Sequence, residues 1–340
     1  MSGEQHEAQG LESSNPDAAT PAEALLPDAP VPPRAIEVHH LTYNDYLRVP
    51  ELLQLQQPQS DPPHHDEMLF IIIHQAYELW FKLILHELQQ AKSYVDEDQP
   101  LRARHFVDRV VAIMRLLVDQ IHIVETMQPI DFLWFRDRLM PASGFQSLQF
   151  REVEFFCGIK DGRYCTFFDN RPEMREQLEQ RLHGDDLRAA TFRLLQRAGF
   201  AVPNEALAVE TRDEPEIFAR TSEALVPILE APNEHLAASL LLESLISFDE
   251  QLALWREHHV RVVARVIGWR MGTGGSSGVD YLKSTTSKSA FPELWDARTR
   301  LVRSERSGGM SVRRPGSAPP DAGGGPTPPP GCPAHHGSST

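Results

Sequence analysis

The stretch NEHLAASLLLESLISFDEQLALWREHHVRVVARVIG (233–268) decides the fold class. Along it Leu241, Leu245, Phe248, Leu252, Trp255, His259, Val262 and Val266 recur at steps of four and three, which keeps them on one face of a helix. Seven of the eight are large and apolar, and the eighth is a histidine. Its neighbour His258 falls with Gln251, Leu254, Arg261 and Arg265 on a more polar row. The periodicity predicts a long helix with His259 facing inward and His258 outward. A lone inward histidine is more often a satisfied core residue than a ligand.

A second stretch repeats the pattern. In HDEMLFIIIHQAYELWFKLILHEL (65–88) the row Phe70, His74, Tyr77, Phe81, Ile84, Leu88 also steps by four and three, again with one histidine among aromatic and aliphatic residues. Two inward histidines on two bulky helices point to something between them that needs imidazole. An iron porphyrin is one such group, because it takes a neutral histidine as axial ligand and packs against apolar walls.

Outward from these helices the pattern stays helical. Residues 41–55 read as a short helix or turn pair broken at Pro50, and Pro62 and Pro63 precede a helix over 64–95 with Asp66 and Glu67 in its first turn. A helix over 101–127 carries Val107, Val111, Met114, Leu117, Ile121 and Val124 on one face. A loop follows, then a helix over 145–156, an irregular 163–172, and helices at about 173–183, 185–198 and 213–230; a final segment contains FPELWDARTRL (291–301). Neither β-alternation nor a repeat period is present. The expected class is all-α: a bundle of several long helices with shorter peripheral ones.

Residues 1–34 and 306–340 are poor in large apolar residues and rich in Ala, Pro, Gly and Ser, so both are expected to be disordered tails flanking one domain over 35–305. The chain has 340 residues and a net charge of −15, against the basic face that a nucleic-acid or anionic-membrane partner requires. No unbroken run of about 18 apolar residues occurs, and residues 1–30 contain neither Lys nor Arg, unlike a secretory signal. The expectation is a cytoplasmic protein. Cys157, Cys165 and Cys332 fit neither a disulfide framework nor a Cys-x-x-Cys zinc site. Cys332 with His335 and His336 lies in the Pro/Gly-rich tail, where an unstructured end is the simpler reading.

Three further features can carry chemistry. GTGGSSG (272–278) is not a P-loop, since no Lys follows and a helix precedes it. It is either a helix C-cap and turn or a loop whose N–H groups and hydroxyls (Thr273, Ser276, Ser277) close over a small polar ligand. Arg136 sits among Phe132, Trp134 and Phe135; it either stacks at the surface or clamps a carboxylate with its two-pronged fork. A carboxylate-bridged di-iron centre would need Glu from two helices and Glu-x-x-His from two others, and that set is not present.

Five segments, HDEMLFIIIHQAYELWFK (65–82), FRDRLMPASGFQSLQFR (135–151), LWREHHVRVVARVIG (254–268), GTGGSSG (272–278) and FPELW (291–295), closely resemble the tryptophan 2,3-dioxygenase family in its order and spacing. The resemblance covers about Leu41 to Thr299. It implies haem b bound between the helices, one per subunit, with His259 as axial ligand of the iron and Ser143 close to the haem. It implies that His74 hydrogen-bonds the indole N–H of L-tryptophan and that Phe70 and Phe132 wall the substrate pocket. It further implies that Arg136 pairs with the substrate carboxylate and that Thr273 binds its amino-acid end. Tyr43 and Tyr46 match tyrosines that reach the pocket from a neighbouring subunit of a homotetramer. The implied reaction adds both atoms of O2 across the indole C2–C3 bond, giving N-formylkynurenine, the first step of tryptophan degradation by the kynurenine route. Two rivals are a related haem oxygenase acting on a modified tryptophan or indole, and a non-enzymatic haem-binding sensor. A sensor would keep His259 but has no need of Arg136, Thr273 and His74 together.

Overall fold

The computed structural model describes residues 41–275 and 277–302. The chain divides into two compact units, 1–55 and 56–340, a boundary inside the span that the sequence marks as one domain. In the first unit α1 (Tyr43–Leu47) and α2 (Val49–Leu52) are short helices without a buried residue. Thr42 caps α1 through Asp45, and Pro50 stands in the first turn of α2, where its missing N–H costs nothing.

The second unit is built on three long helices: α3 (His65–Asp96), α4 (Pro100–Val124) and, after α5 to α9, α10 (Leu236–Ile267). Between them come α5 (Pro129–Arg136), α6 (Leu148–Phe156), α7 (Pro172–His183), α8 (Leu187–Arg197) and α9 (Pro215–Glu230). Two short helices, α11 (Val279–Thr285) and α12 (Pro292–Thr299), follow α10. Proline opens α4, α5, α7, α9 and α12, fixing φ at the one turn where it forfeits no bond. No strand occurs among the described residues, and the all-α class holds.

The three inward rows do what their spacing predicts. Ile84, Leu88, Val107, Leu117, Leu245 and Phe248 are fully buried, and α4 packs against both α3 and α10. Burying each such side chain is worth about 1.5–3 kcal/mol. Two local readings need correction. The expected loop after α4 contains α5, whose apolar residues Phe132 and Phe135 turn into the core. The irregular segment near 163–172 is a 3-10 helix over Gly162–Phe168, capped by Asp161.

α3 is long and apolar enough to cross a membrane by length and composition, although it is not an unbroken apolar run, since His74, Glu78 and Lys82 interrupt it. In the fold this helix packs on α4, α6 and α8, and its buried residues include Glu67 and Glu87.

The FPELW segment is fastened to α10. Asp249, buried on that helix, accepts hydrogen bonds from the Ser289 hydroxyl, Ala290 N–H (2.8 Å), Phe291 N–H (3.2 Å) and Trp295 Nε1–H (3.0 Å). Two turns on, Arg256 donates to the Lys288 carbonyl at 2.5 Å and to Glu154 Oε1 of α6 at 2.6 Å. Thus residues 288–295 brace the helix that carries His259.

Candidate active site

A cavity of about 290 Å³ opens between α3, α5, α6, α10 and the loop 272–278. Its lining includes Phe70, His74, Phe132, Arg136, Ser143, His259 and Thr273, seven of the nine residues singled out from the sequence. The other two, Tyr43 and Tyr46, lie in the first unit, where their side chains are exposed. Ser276 of the glycine loop is outside the described residues; Cys332, His335 and His336 are too.

His259 faces the cavity, and its ring stacks on Trp255 one turn earlier (centroids 5.5 Å apart). Burial, then the nearby His74 and the Arg151 cation, bring its pKa down to about 4, so the imidazole is neutral at pH 7. Among the described residues no hydrogen bond engages either ring nitrogen. His258 points elsewhere, its ring 5.2 Å from that of His122 on α4 and outside the cavity lining. His259 thus faces the cavity as its spacing predicts, while His258, expected to face outward, is half-buried against α4.

On α3 the His74 ring lies open to the cavity, yet surrounding protein desolvates it enough to lower its pKa. Its Nδ1 is 2.7 Å from the Phe70 carbonyl one turn back, which assigns the proton to Nδ1 and leaves a lone pair on Nε2. Phe70 sits against Phe132 at 5.5 Å, and both pack on Phe135, forming an aromatic wall.

At the rim Arg136 donates to the Met271 carbonyl, while its Nε is buried with no partner. Thr273 Oγ1 donates to the Ala142 carbonyl at 2.6 Å. These contacts lay the glycine loop over residues 142–143. Gly274 is needed for that approach, because a Cβ there would meet Ser143 Cβ at 2.6 Å. Gly278 is needed for its backbone, at φ 60° and ψ −111°, a region that side chains disfavour.

Sequence reading missed the far wall. Arg151 and Glu154 of α6 pair at 2.5 Å, Glu154 pairs with Arg256, and all three are buried at the cavity. The three charges sum to one surplus positive charge. Arg151 stacks over Tyr164 (3.9 Å to the ring centroid), and its Nε has no partner. Every residue from Phe150 to Phe156 is buried, so no alternation marked Arg151 and Glu154 as inward. Tyr281 of α11, which bonds Tyr164 hydroxyl to hydroxyl at 2.9 Å, closes this side.

The model of the family described as tryptophan 2,3-dioxygenase matches residues 29–202 and 226–301. A protein of Herpetosiphon aurantiacus named tryptophan 2,3-dioxygenase is 42% identical over 261 residues, covering 77% of this chain and 98% of that protein. Proteins of the same name from Nocardioides sp. (43% identical; 77% of this chain and 95% of that protein) and Myxococcus xanthus (40%; 77% and 90%) align comparably. The chain belongs to the tryptophan 2,3-dioxygenase family and is an oxidoreductase of tryptophan ring cleavage.

Proposed function

We propose that the cavity holds one haem b per subunit on His259 and takes L-tryptophan between His74, Phe70, Phe132, Arg136 and Thr273, with N-formylkynurenine as product. The family is haem-dependent, and the residues present fit that group. His259 offers a neutral ring nitrogen with no hydrogen-bond partner, the walls are aromatic and aliphatic, and Arg151 presents a buried guanidinium with an unpartnered Nε, a donor suited to a carboxylate. When bound, the haem supplies the binding and activation of O2.

The protein's own groups do the rest. Arg136 forks onto the substrate carboxylate, and Thr273 meets the amino-acid end; both lie where the loop closes on α5. Phe70 and Phe132 hold the indole and exclude water. His74 accepts the indole N–H at Nε2, the nitrogen its bond to the Phe70 carbonyl leaves free. It acts as a neutral acceptor that orients the ring, since its pKa lies below the ordinary value. Ser143 lies beneath the loop on the haem side, and Tyr43 and Tyr46 complete the pocket of a neighbouring subunit in a homotetramer. Both end in a hydroxyl and suit a pocket edge that is apolar on one side and polar on the other. The enzyme is cytoplasmic in this reading, without a nucleic-acid or membrane partner.

The observation that carries the proposal is the joint placement of His259, His74, Arg136 and Thr273 on one cavity. It predicts a Soret band in the purified protein and the absorbance of N-formylkynurenine when L-tryptophan is added under air. Haem binding without product would favour the sensor reading. Product from substituted indoles but not from tryptophan would favour the modified-substrate reading.

A further inference from the structure

Residues 56–60 run back along the first turns of α3. Gln56 Nε2 donates to Gln75 Oε1 at 2.6 Å, and Gln59 N–H donates to Glu67 Oε1 at 2.6 Å. Ser60 adds two donors to Glu67 Oε2, its N–H at 3.0 Å and its hydroxyl. The segment is therefore antiparallel to the helix, with residue 56 level with 75 and residues 59–60 level with 67. Residues 67 to 75 make about 12 Å of helix, so residues 56–60 span from the first turn of α3 to the turn that bears His74.

Glu67 is completely buried, and no Lys or Arg pairs with it among the described residues. A buried carboxylate without a cation persists only where donors replace its hydration. Here the donors come from one loop, and although burial pushes its pKa up, they hold the carboxyl below the usual range. The same loop reaches α5. His64 N–H donates to Ser60 Oγ at 2.8 Å, its ring lies 5.8 Å from that of Phe135, and its Nε2 is 3.7 Å from Asp131. The loop thus touches both helices that supply the substrate wall, α3 with Phe70 and His74 and α5 with Phe132 and Arg136.

We propose that Glu67 is a positioning residue for the substrate site: by fastening residues 59–60 to the first turn of α3 it fixes the seam between α3 and α5. The inference rests on the assignment of His74, Phe132 and Arg136 to tryptophan binding. Glu67 touches neither substrate nor cofactor; it acts through the loop.

The test is Glu67→Gln in the full-length, haem-loaded protein, with Ser60→Ala as the smaller perturbation. The amide keeps the size of the side chain but turns an N–H2 group toward donors. Haem content, Soret position and far-ultraviolet circular dichroism are expected to stay as in the parent. Amide hydrogen exchange in 56–64 should quicken about 10-fold or more, and KM for L-tryptophan should rise about 10-fold with kcat within about 3-fold. Ser60→Ala should move both in the same direction by about 2- to 3-fold. Unchanged exchange overturns the latch. Faster exchange with an unaltered KM overturns the positioning role, as does a KM that rises only in step with loss of haem. If the parent takes no tryptophan at all, the substrate assignment has failed and the positioning role falls with it, while exchange still reports the latch.

Discussion

Replacing Gly274 by alanine puts a methyl group against Ser143. The new Cβ would stand 2.6 Å from Ser143 Cβ and 2.8 Å from Ser143 Oγ. Carbon atoms in contact rest about 3.5–4.0 Å apart, so the glycine loop must lift by about 1 Å. The backbone of Gly274 is not left-handed, which makes the effect steric rather than conformational. Thr273 Oγ1 reaches the Ala142 carbonyl over 2.6 Å, and a lift of about 1 Å takes it out of hydrogen-bond range. A misplacement of that size costs about 100-fold in rate, roughly 2.7 kcal/mol of barrier. Steady-state kinetics should therefore show kcat/KM for L-tryptophan falling about 30- to 100-fold while the Soret band remains. Ser143→Gly removes both clashing atoms, so the double variant should recover most of the loss, and a glycine cap costs the turn at 144–146 only about a few tenths of a kcal/mol in stability. A single variant as active as the parent, or a double variant no better than the single, would refute this account of the loop.

Other outcomes follow from the same geometry. His259→Ala should abolish stable haem binding and His258→Ala should leave it largely intact, read from the Soret band of each purified variant. Arg136→Leu should cost about 2–5 kcal/mol in kcat/KM without removing haem; tryptamine, which lacks the carboxylate, should be a poor substrate, and equal turnover of the two would remove the clamp. Mixed oligomers of a Tyr43/Tyr46 double variant with an Arg136 variant should regain activity, because some pockets then contain only intact residues; a fully active monomer would contradict trans completion. Glu67 has a folded-state pKa below its ordinary 4.5, so the unfolded chain takes up the proton first as pH falls. Its stabilisation is complete above about 4.5 and is lost as pH drops through the folded value. Exchange protection of 56–60 should fade over that acid range in the parent and show a flatter pH profile in Glu67→Gln.

How far the sequence could be read depended on contrast. On α3, α4 and α10 the apolar rows stand against charged neighbours, so the helices, their inward faces and the different directions of His258 and His259 were all legible. Over 150–156 contrast vanishes: Arg151, Glu152 and Glu154 are as buried as the phenylalanines beside them. Glu154 pairs with Arg151 one turn away on the same helix and with Arg256 far along the chain, and periodicity carries no sign of the second partner. α5 was lost in a loop for a related reason, being eight residues long, too short to show a stripe. The likeness to a family reached Arg136, Ser143 and Thr273, which spacing alone left ambiguous. The latch at Glu67 is not legible in the sequence, because its three donors are two backbone N–H groups and a hydroxyl, which no side-chain pattern announces.

The grip of Asp249 on residues 289–295 bears on the order in which this chain can mature. During synthesis from the N-terminus, Asp249 is made 46 residues, and the end of α10 28 residues, before Trp295. Until then Asp249 is a charge without its donors, on a face destined for the interior, and leaving it so costs several kcal/mol. The helix bearing His259 therefore cannot settle into its final seat while the nascent chain stops short of the FPELW segment. If His259 holds haem as proposed, loading of the haem is then a late event, after synthesis of the FPELW segment. A truncation placed in the loop after α11 would leave every residue of the cavity in the gene and still give a protein that fails to assemble it.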